Sequence, residues 1–214
     1  MVGHDFDVPE FNLAAQTDDS AGKWAVAEAS LQQLLEGNGR FRAGKPRFRR
    51  DINSAKAAAP EQHPVAAVFT CVDSRVTAES VFDCNFGQLV VVRTAGHVPD
   101  RAAVGSLEFS VAELHVPVIV VLGHERCGAI KAALQAVAEA THDPRTGYLV
   151  EQLWQPASQA IEEAAVDGAE SYAMRLQVLR TIADLKRRSV FADILVVGAG
   201  YDLDTGTVTL IDKL

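Results

Sequence analysis

Cysteine is scarce in this 214-residue chain: there are three, and no two of them are spaced Cys-x-x-Cys. That excludes a disulfide framework and a thioredoxin-like dithiol, and it fits a reducing compartment. Positive charge is also short. Lys and Arg total 20 against 28 Asp and Glu, a formal net charge of −8, with no basic-aromatic interleaving, which argues against nucleic acid as a partner. No stretch approaches 18 uninterrupted apolar residues, and Met1–Ser20 is acidic and polar without an apolar leader core. No membrane span and no secretory signal are therefore expected, and the cytoplasm is the default location. Internal repeats are absent too, which excludes a solenoid. What the chain does have is 48% apolar residues, enough at this length for one sizeable core. Residues 1–22 read as a mobile arm and 23–214 as a single domain.

The apolar pattern places the elements. Trp24, Ala27, Leu31, Leu34 and Leu35 fall at helical spacing, and Gly37-Asn38-Gly39 is expected to end that helix. Whether its apolar face docks on a second subunit or on its own core is not decided by amphipathicity. Arg40 to Pro64 reads as a wrapping connection with little core of its own. Val65–Thr70 and Val118–Leu122 are short β-branched-rich runs, read as central parallel strands, with Pro117 placed where a missing donor does little harm. Further strands are expected at Gln88–Val92 and Ala192–Gly198, with a hairpin-like Thr207–Leu210. Helices are expected at about Thr77–Asp83, Ala103–Leu114 and Arg126–Ala140, and two more between Gly147 and Arg188, broken at Gly168 and Ser171. This alternation predicts an α/β fold with a mostly parallel central sheet flanked by helices.

Two polar stretches follow directly on the two central strands: Cys71-Val72-Asp73-Ser74-Arg75 and Gly123-His124-Glu125-Arg126-Cys127-Gly128. A lone cysteine at a strand end is most often a small buried hydrophobe, and a Cys71–Cys127 redox pair is conceivable. Taken jointly, two thiolates and one imidazole from two loops make a Cys2His zinc set, leaving the fourth tetrahedral position for Asp73 or a water, as in a catalytic site. Open α/β sheets bind ligands at the carboxyl ends of their strands, where Cys71 and His124 emerge. His124 and Cys127 are expected i and i+3 at the start of a helix whose N-terminus favours the Cys127 thiolate. Asp73 can ligate the metal, and Arg75 can draw it away by a bidentate ion pair. Cys84 reads as a core residue, and Glu125 and Arg126 as solvent-facing.

These residues resemble the β-class carbonic anhydrases, whose Cys-x-Asp-x-Arg and His-x-x-Cys signatures both appear, in order and at the usual separation. Leu34–Phe41, Val91–His97, Gly105–Phe109 and Gly200–Gly206 extend the resemblance over roughly residues 24 to 212. It implies one Zn2+ per subunit and reversible hydration of CO2 to bicarbonate and a proton by a zinc-bound hydroxide. In it, Asp73 paired to Arg75 orients the hydroxide, and in a closed form Asp73 itself ligates zinc. The resemblance further implies a homodimer or tetramer whose N-terminal helical arm packs on a partner subunit. A hydrolase of COS or CS2 on the same scaffold is the alternative, and a zinc protein whose metal only holds the fold is a third reading.

By position, Gln62 matches a glutamine that bonds substrate across the subunit interface in plant-type members, and Val90, Ala95 and Phe109 match their Phe, Val and Tyr pocket residues. The first two of those three are smaller here, which predicts a roomier pocket. Some bacterial members hold bicarbonate at a non-catalytic site of Trp, Arg and Tyr. Arg93 and Tyr201 look like two of these, but the Trp position falls on Val68, so that form of regulation is not expected, and Arg93 and Tyr201 read as structural. His97 stands where many members have Asn. It is expected to be a hydrogen-bonded structural histidine, with proton shuttling as the alternative. His4, His63, His115 and His142 have no partner that sequence reveals.

Overall fold

The computed structural model describes residues 20–141, 147–164 and 168–211. Strands β1 (Ala66–Cys71), β2 (Leu89–Thr94), β3 (Val118–His124) and β4 (Leu195–Tyr201) are parallel, and β5 (Val208–Ile211) returns antiparallel to β4. The sheet order is β2-β1-β3-β4-β5. After β1 the chain first turns outward to β2, then crosses back to place β3 on the other side of β1. The carboxyl ends of β1 and β3 thus flank a topological switch point, the crevice where open α/β sheets bind ligands.

Every residue of β1 and β3 is buried, because helices cover both faces of the sheet. On one face Ala66, Val68, Val118, Val120 and Leu122 pack with Leu34 of α1 (Ser20–Arg42) and Val81 of the short α3 (Ala78–Val81). On the other, Ala67, Phe69, Ile119 and Val121 meet Leu107 of α4 (Arg101–Ala112) and Val178 of α7 (Ala169–Lys186). A third group joins α5 (Gly128–Ala138) and α6 (Gly147–Glu163) around Cys71 and Cys127. The connection after α1 holds only α2 (Ile52–Ala58), capped by Asp51 and without a buried residue, as its polar composition predicts. No helix among the described residues is long and apolar enough to cross a membrane.

The first helix does not stop at Gly37-Asn38-Gly39; it continues to Arg42. Each glycine costs a helix about 1 kcal/mol relative to alanine, and tertiary contacts outweigh that. Gly37 lets the helix approach α3 so closely that a Cβ there would lie 1.8 Å from the Phe82 carbonyl oxygen. Asn38 donates to the Val81 and Gly206 carbonyls at 3.1 and 2.8 Å and accepts from the Val208 amide at 3.0 Å. From Ala27 to Phe41 the apolar face of α1 packs on its own chain, while Trp24 near its start is 43% exposed. The arm expected over 1–22 lies, up to residue 19, outside the described residues, as do His4 and His142; residues 20–22 belong to α1.

Two other boundaries move for local reasons. Ser171 lies inside α7, and Gly168 alone marks the break, as the residue capping that helix. β4 begins at Leu195 rather than near residue 192, because a 3-10 turn over Ser189–Phe191 occupies the approach. Buried Asp83 staples the wrapping connection to the end of α3, accepting hydrogen bonds from Arg40 at 2.7 Å, Arg50 at 3.0 Å and the Arg47 amide at 2.8 Å. Cys84 beside it is buried as expected, and burial pushes its thiol up to about 12, leaving it inert.

Candidate active site

Cys71 ends β1 and His124 ends β3, so the two side chains leave the carboxyl edge of adjacent strands. His124 is not on a helix, contrary to the i, i+3 expectation. Cys127 is the residue capping α5, and the chain turns between the two through Arg126, whose φ is +51°. That turn brings Cys127 back toward the end of β1. The ligand atoms of Cys71, His124 and Cys127 all lie within 4.8 Å of one another, and all three residues are buried. The two sulfurs stand 3.9 Å apart. A tetrahedral zinc with 2.3 Å bonds to sulfur needs an S···S edge of about 3.8 Å, so the spacing fits.

The donors are also prepared electronically. His124 Nδ1 is engaged with the Glu125 carbonyl at 2.8 Å, which fixes the proton there and leaves Nε2, buried and without a hydrogen-bond partner among the described residues, with its lone pair free. The Gly96 amide donates to Cys71 Sγ at 3.3 Å. Gly96 has φ +61°, and a Cβ there would press on Leu153 and Ala129 at 2.9 and 3.1 Å, so this amide is aimed by a turn built for glycine. The neighbouring Cys127 thiol, and then His124, draw the Cys71 pKa down, whereas Cys127 is pushed up by the hydrogen bond with Cys71 and by burial. The α5 amides of Ile130 and Ala129 do favour the Cys127 thiolate, as expected, but they are outweighed. Two thiolates this close ionise together only with a cation between them, and such a donor set suits zinc.

Asp73 sits beside this cluster, its Oδ2 3.9 Å from His124 Nε2. Arg75 grips it three times: the backbone amide and Nε donate to Oδ1 at 3.0 and 2.9 Å, and Nη2 donates to Oδ2 at 2.7 Å. That grip holds the Asp73 carboxyl well below the usual range, so it stays ionised at any working pH. Burial disfavours charge on His124, but Cys71, the Glu125 carbonyl and Asp73 together leave its pKa above the ordinary histidine value.

Residue 66 to residue 208 match the family model described as carbonic anhydrase. "Carbonic anhydrase 2" of Mycobacterium tuberculosis is 38% identical over 197 residues, covering 87% of this chain and 93% of that protein. This chain belongs to the β-class carbonic anhydrase family. Among solved structures, the Coccomyxa β-carbonic anhydrase in complex with acetazolamide superposes with a TM-score of 0.68 at 21% identity, covering 92% of this chain and 88% of that one. One from a study of two tetrameric β-carbonic anhydrases of Sordaria macrospora gives 0.63 at 19% identity, over 91% and 98%. At those identities the two structures speak to the fold alone.

Membership in the family does not gather every residue singled out by position. Ala95 adjoins Gly96 at the Cys71 end of the sheet. Gln62, by contrast, precedes the amino end of β1, where it lies against Gly87, and β1 then runs five residue steps, about 17 Å, before reaching Cys71. Val90 pairs with Ala67 in the middle of the edge strand, and Phe109 projects from α4 with 57% of its surface exposed. These three do not close a pocket over the metal donors of their own chain.

Three contributors went unrecognised in the sequence. Arg93 is part of the site: its Nε donates to the Cys71 carbonyl at 2.9 Å and its Nη2 to the Asp73 carbonyl at 2.6 Å, clamping the loop that carries both side chains. The parallel register, which sets Arg93 opposite Thr70, is the signal that locates it. The Gly96 amide is the second. Arg126 is the third; it does not merely face solvent, since its guanidinium grips Asp204 and its carbonyl accepts from Arg75. His97 departs from both expectations. It is 1% exposed, neither ring nitrogen has a hydrogen-bond partner among the described residues, and its ring stands edge-on to Phe69 at 6.3 Å. Burial lowers its pKa to about 4, so it stays neutral and sealed from solvent, unsuited to shuttling protons.

Proposed function

We propose that this chain is a zinc enzyme that hydrates CO2 reversibly to bicarbonate and a proton, with Cys71, His124 and Cys127 as the protein ligands of one Zn2+ per subunit. The observation that carries the reading is the conjunction of three converging, buried donors with an ionised Asp73 held off them by Arg75. A purely structural site has no use for an acid so placed. Bound by these donors, Zn2+ supplies a Lewis acid that brings the ionisation of a water toward neutral pH, the two thiolates making it weaker than a three-histidine site.

The chain's own groups do the rest. His124 keeps Nε2 toward the ion because Nδ1 is committed to Glu125, and the Gly96 amide steadies the Cys71 thiolate. Asp73 is always ionised and so only accepts hydrogen bonds. From its place beside His124, its carboxylate would accept a hydrogen bond from the O–H of the ionised water and so leave an oxygen lone pair directed at the carbon of CO2. Because Arg75 keeps its pKa so low, Asp73 cannot store the released proton, which passes to solvent and buffer. In a closed state Asp73 would instead leave Arg75 and serve as a further ligand to the metal.

The functional unit in this reading is a homodimer or tetramer. The half-buried edge strand β2 and the exposed Phe109 face outward from a single chain, and a second copy is what would bring Gln62, Val90 and Phe109 to a substrate pocket with Ala95. The three buried, free cysteines are consistent with a cytoplasmic enzyme.

Stopped-flow CO2 hydration by zinc-quantified protein from about pH 6.5 to 9 tests this. The rate is expected to rise with pH and to be lost in Asp73→Ala and in Arg75→Ala. No hydration at full zinc occupancy would refute it and make COS and CS2 the next substrates.

A further inference from the structure

A chain of hydrogen bonds reaches from the Asp73–Arg75 pair to the turn between β4 and β5. Besides its three bonds to Asp73, Arg75 has, among the described residues, one further partner, the carbonyl of Arg126, to which Nη2 donates at 3.1 Å. Arg126 lies between His124 and Cys127 in the left-handed region, φ +51°, which a non-glycine residue adopts at a cost and keeps only when its surroundings hold it. What holds it is a bidentate pair: Nη1 and Nη2 donate to Asp204 Oδ2 and Oδ1 at 2.9 and 2.7 Å.

Asp204 is itself fixed. Asp202 Oδ1 accepts from the amides of Asp204 and Thr205 at 2.7 and 3.1 Å, the Asp202 amide donates to the Thr207 carbonyl at 2.9 Å, and the Gly206 amide donates to the Asp202 carbonyl at 2.9 Å. From the other side, buried Asn38 of α1 holds the Gly206 carbonyl and the Val208 amide. The turn is therefore a rigid bracket, and it presents a carboxylate fork to Arg126 rather than a free acidic side chain. The strand beneath joins in, since the Glu125 amide donates to the Tyr201 carbonyl at 3.1 Å, tying the residue before Arg126 to the end of β4.

We propose that Asp204 is a positioning residue for the Asp73 switch: by gripping Arg126 it turns the Arg126 carbonyl onto Arg75, keeps Arg75 on Asp73, and so keeps the fourth metal position free. The inference deepens the reading above and depends on it. Losing the grip frees the left-handed turn, withdraws the carbonyl from Arg75, and lets Asp73 reach the metal more often. Both side chains of the pair are more than half exposed, 51% for Arg126 and 70% for Asp204, so the leverage is modest. An exposed, solvent-screened pair of this kind is expected to change the open-to-closed ratio by at most about fivefold.

The test uses full-length protein loaded with Co2+, whose visible spectrum differs between carboxylate and water in the fourth position, and azide titration as a count of open sites. Wild type, Asp73→Ala, Asp204→Ala, Asp204→Glu and the reciprocal Arg126→Asp/Asp204→Arg protein are compared at the pH where wild type is half-open. Asp204→Ala is expected to show more of the carboxylate-bound spectrum and azide binding about two- to fivefold weaker, with thermal stability within a degree or two of wild type. Asp204→Glu and the reciprocal double variant are expected to recover most of both signals. Spectrum and azide affinity in Asp204→Ala equal to wild type would overturn the inference alone. A wild-type spectrum matching Asp73→Ala at every pH would mean that Asp73 never ligates, and would remove the switch together with the inference.

Discussion

Gly37 and Gly39 stand two residues apart in α1, and alanine at each is expected to act in opposite directions. At Gly39, which is exposed, an added Cβ meets nothing within 4 Å. Gly39→Ala should therefore gain the helix propensity difference and the reduced freedom of the unfolded chain, about 0.5–1 kcal/mol of stabilisation. At Gly37 the same methyl would lie 1.8 Å from the Phe82 carbonyl oxygen and 2.7 Å from its carbon. Ordinary contact is about 3.3 Å, so α1 or α3 must retreat by more than 1 Å, and neither atom belongs to a flexible side chain. That retreat also stretches the Asn38 bonds to Val81 and Gly206 and loosens Leu34 in the core. Overpacking of this kind costs about 1–3 kcal/mol, and a strained or lost buried hydrogen bond about 1 more, so Gly37→Ala is expected to destabilise by roughly 2–4 kcal/mol. For a chain of this length that corresponds to a fall in Tm of about 5–15 °C, against a rise of about 1–4 °C for Gly39→Ala. Thermal and urea unfolding at matched protein concentration and metal content would measure both, since assembly itself shifts Tm. Equal stability in the two variants, or a stabilised Gly37→Ala, would refute the close approach of α1 and α3.

Four further outcomes follow from the same geometry. Cys71→Ala and Cys127→Ala are each expected to bind less than a tenth of the zinc of wild type, by metal analysis after dialysis against a weak chelator, because one thiolate and one imidazole cannot complete the set. Asp83→Asn breaks a buried carboxylate away from Arg40 and Arg50 and should cost about 3 kcal/mol. Despite the opposing effect of burial, these partners depress the Asp83 pKa. Its contribution is therefore complete above the unfolded value of 3.8 and is lost as pH falls through the folded one, so the gap in urea unfolding should hold down to about pH 4 and narrow only below it. His97 has the opposite chemistry with the same direction. Its pKa falls from 6.5 unfolded to about 4 folded, so the unfolded chain takes up the extra proton, and stability should drop by up to about 3 kcal/mol from pH 6.5 to 4, a drop that His97→Asn removes in matched metal-free samples. Crystals soaked in bicarbonate should show no anion beside Arg93, whose guanidinium is already committed to the Cys71 and Asp73 carbonyls while Val68 is buried in the core; an anion there with Asp73 on the metal would refute this.

The residues proposed to do the chemistry were legible in the sequence because their information is local. Two apolar runs, each ending in a short polar signature, determined the central parallel strands, the three candidate metal donors and the adjacent acid–base pair, since a strand buried on both faces must be largely apolar and must hand its chemistry to the loop beyond its carboxyl end. Tertiary structure decided what depends on partners distant in the chain. Gly37-Asn38-Gly39 carries every local mark of a helix end, yet contacts with Phe82, Val81, Gly206 and Val208 keep it helical. Arg93 read only as structural and Arg126 as solvent-facing, because what ties them to the site is a set of backbone carbonyls and one carboxylate that only the folded register brings within reach. His97 looked like a hydrogen-bonding group until burial left it without a partner among the described residues. A short segment of chain specifies which groups are available and at what spacing; their protonation, their orientation and which of them act together are set by contacts across the sheet, which no local pattern encodes.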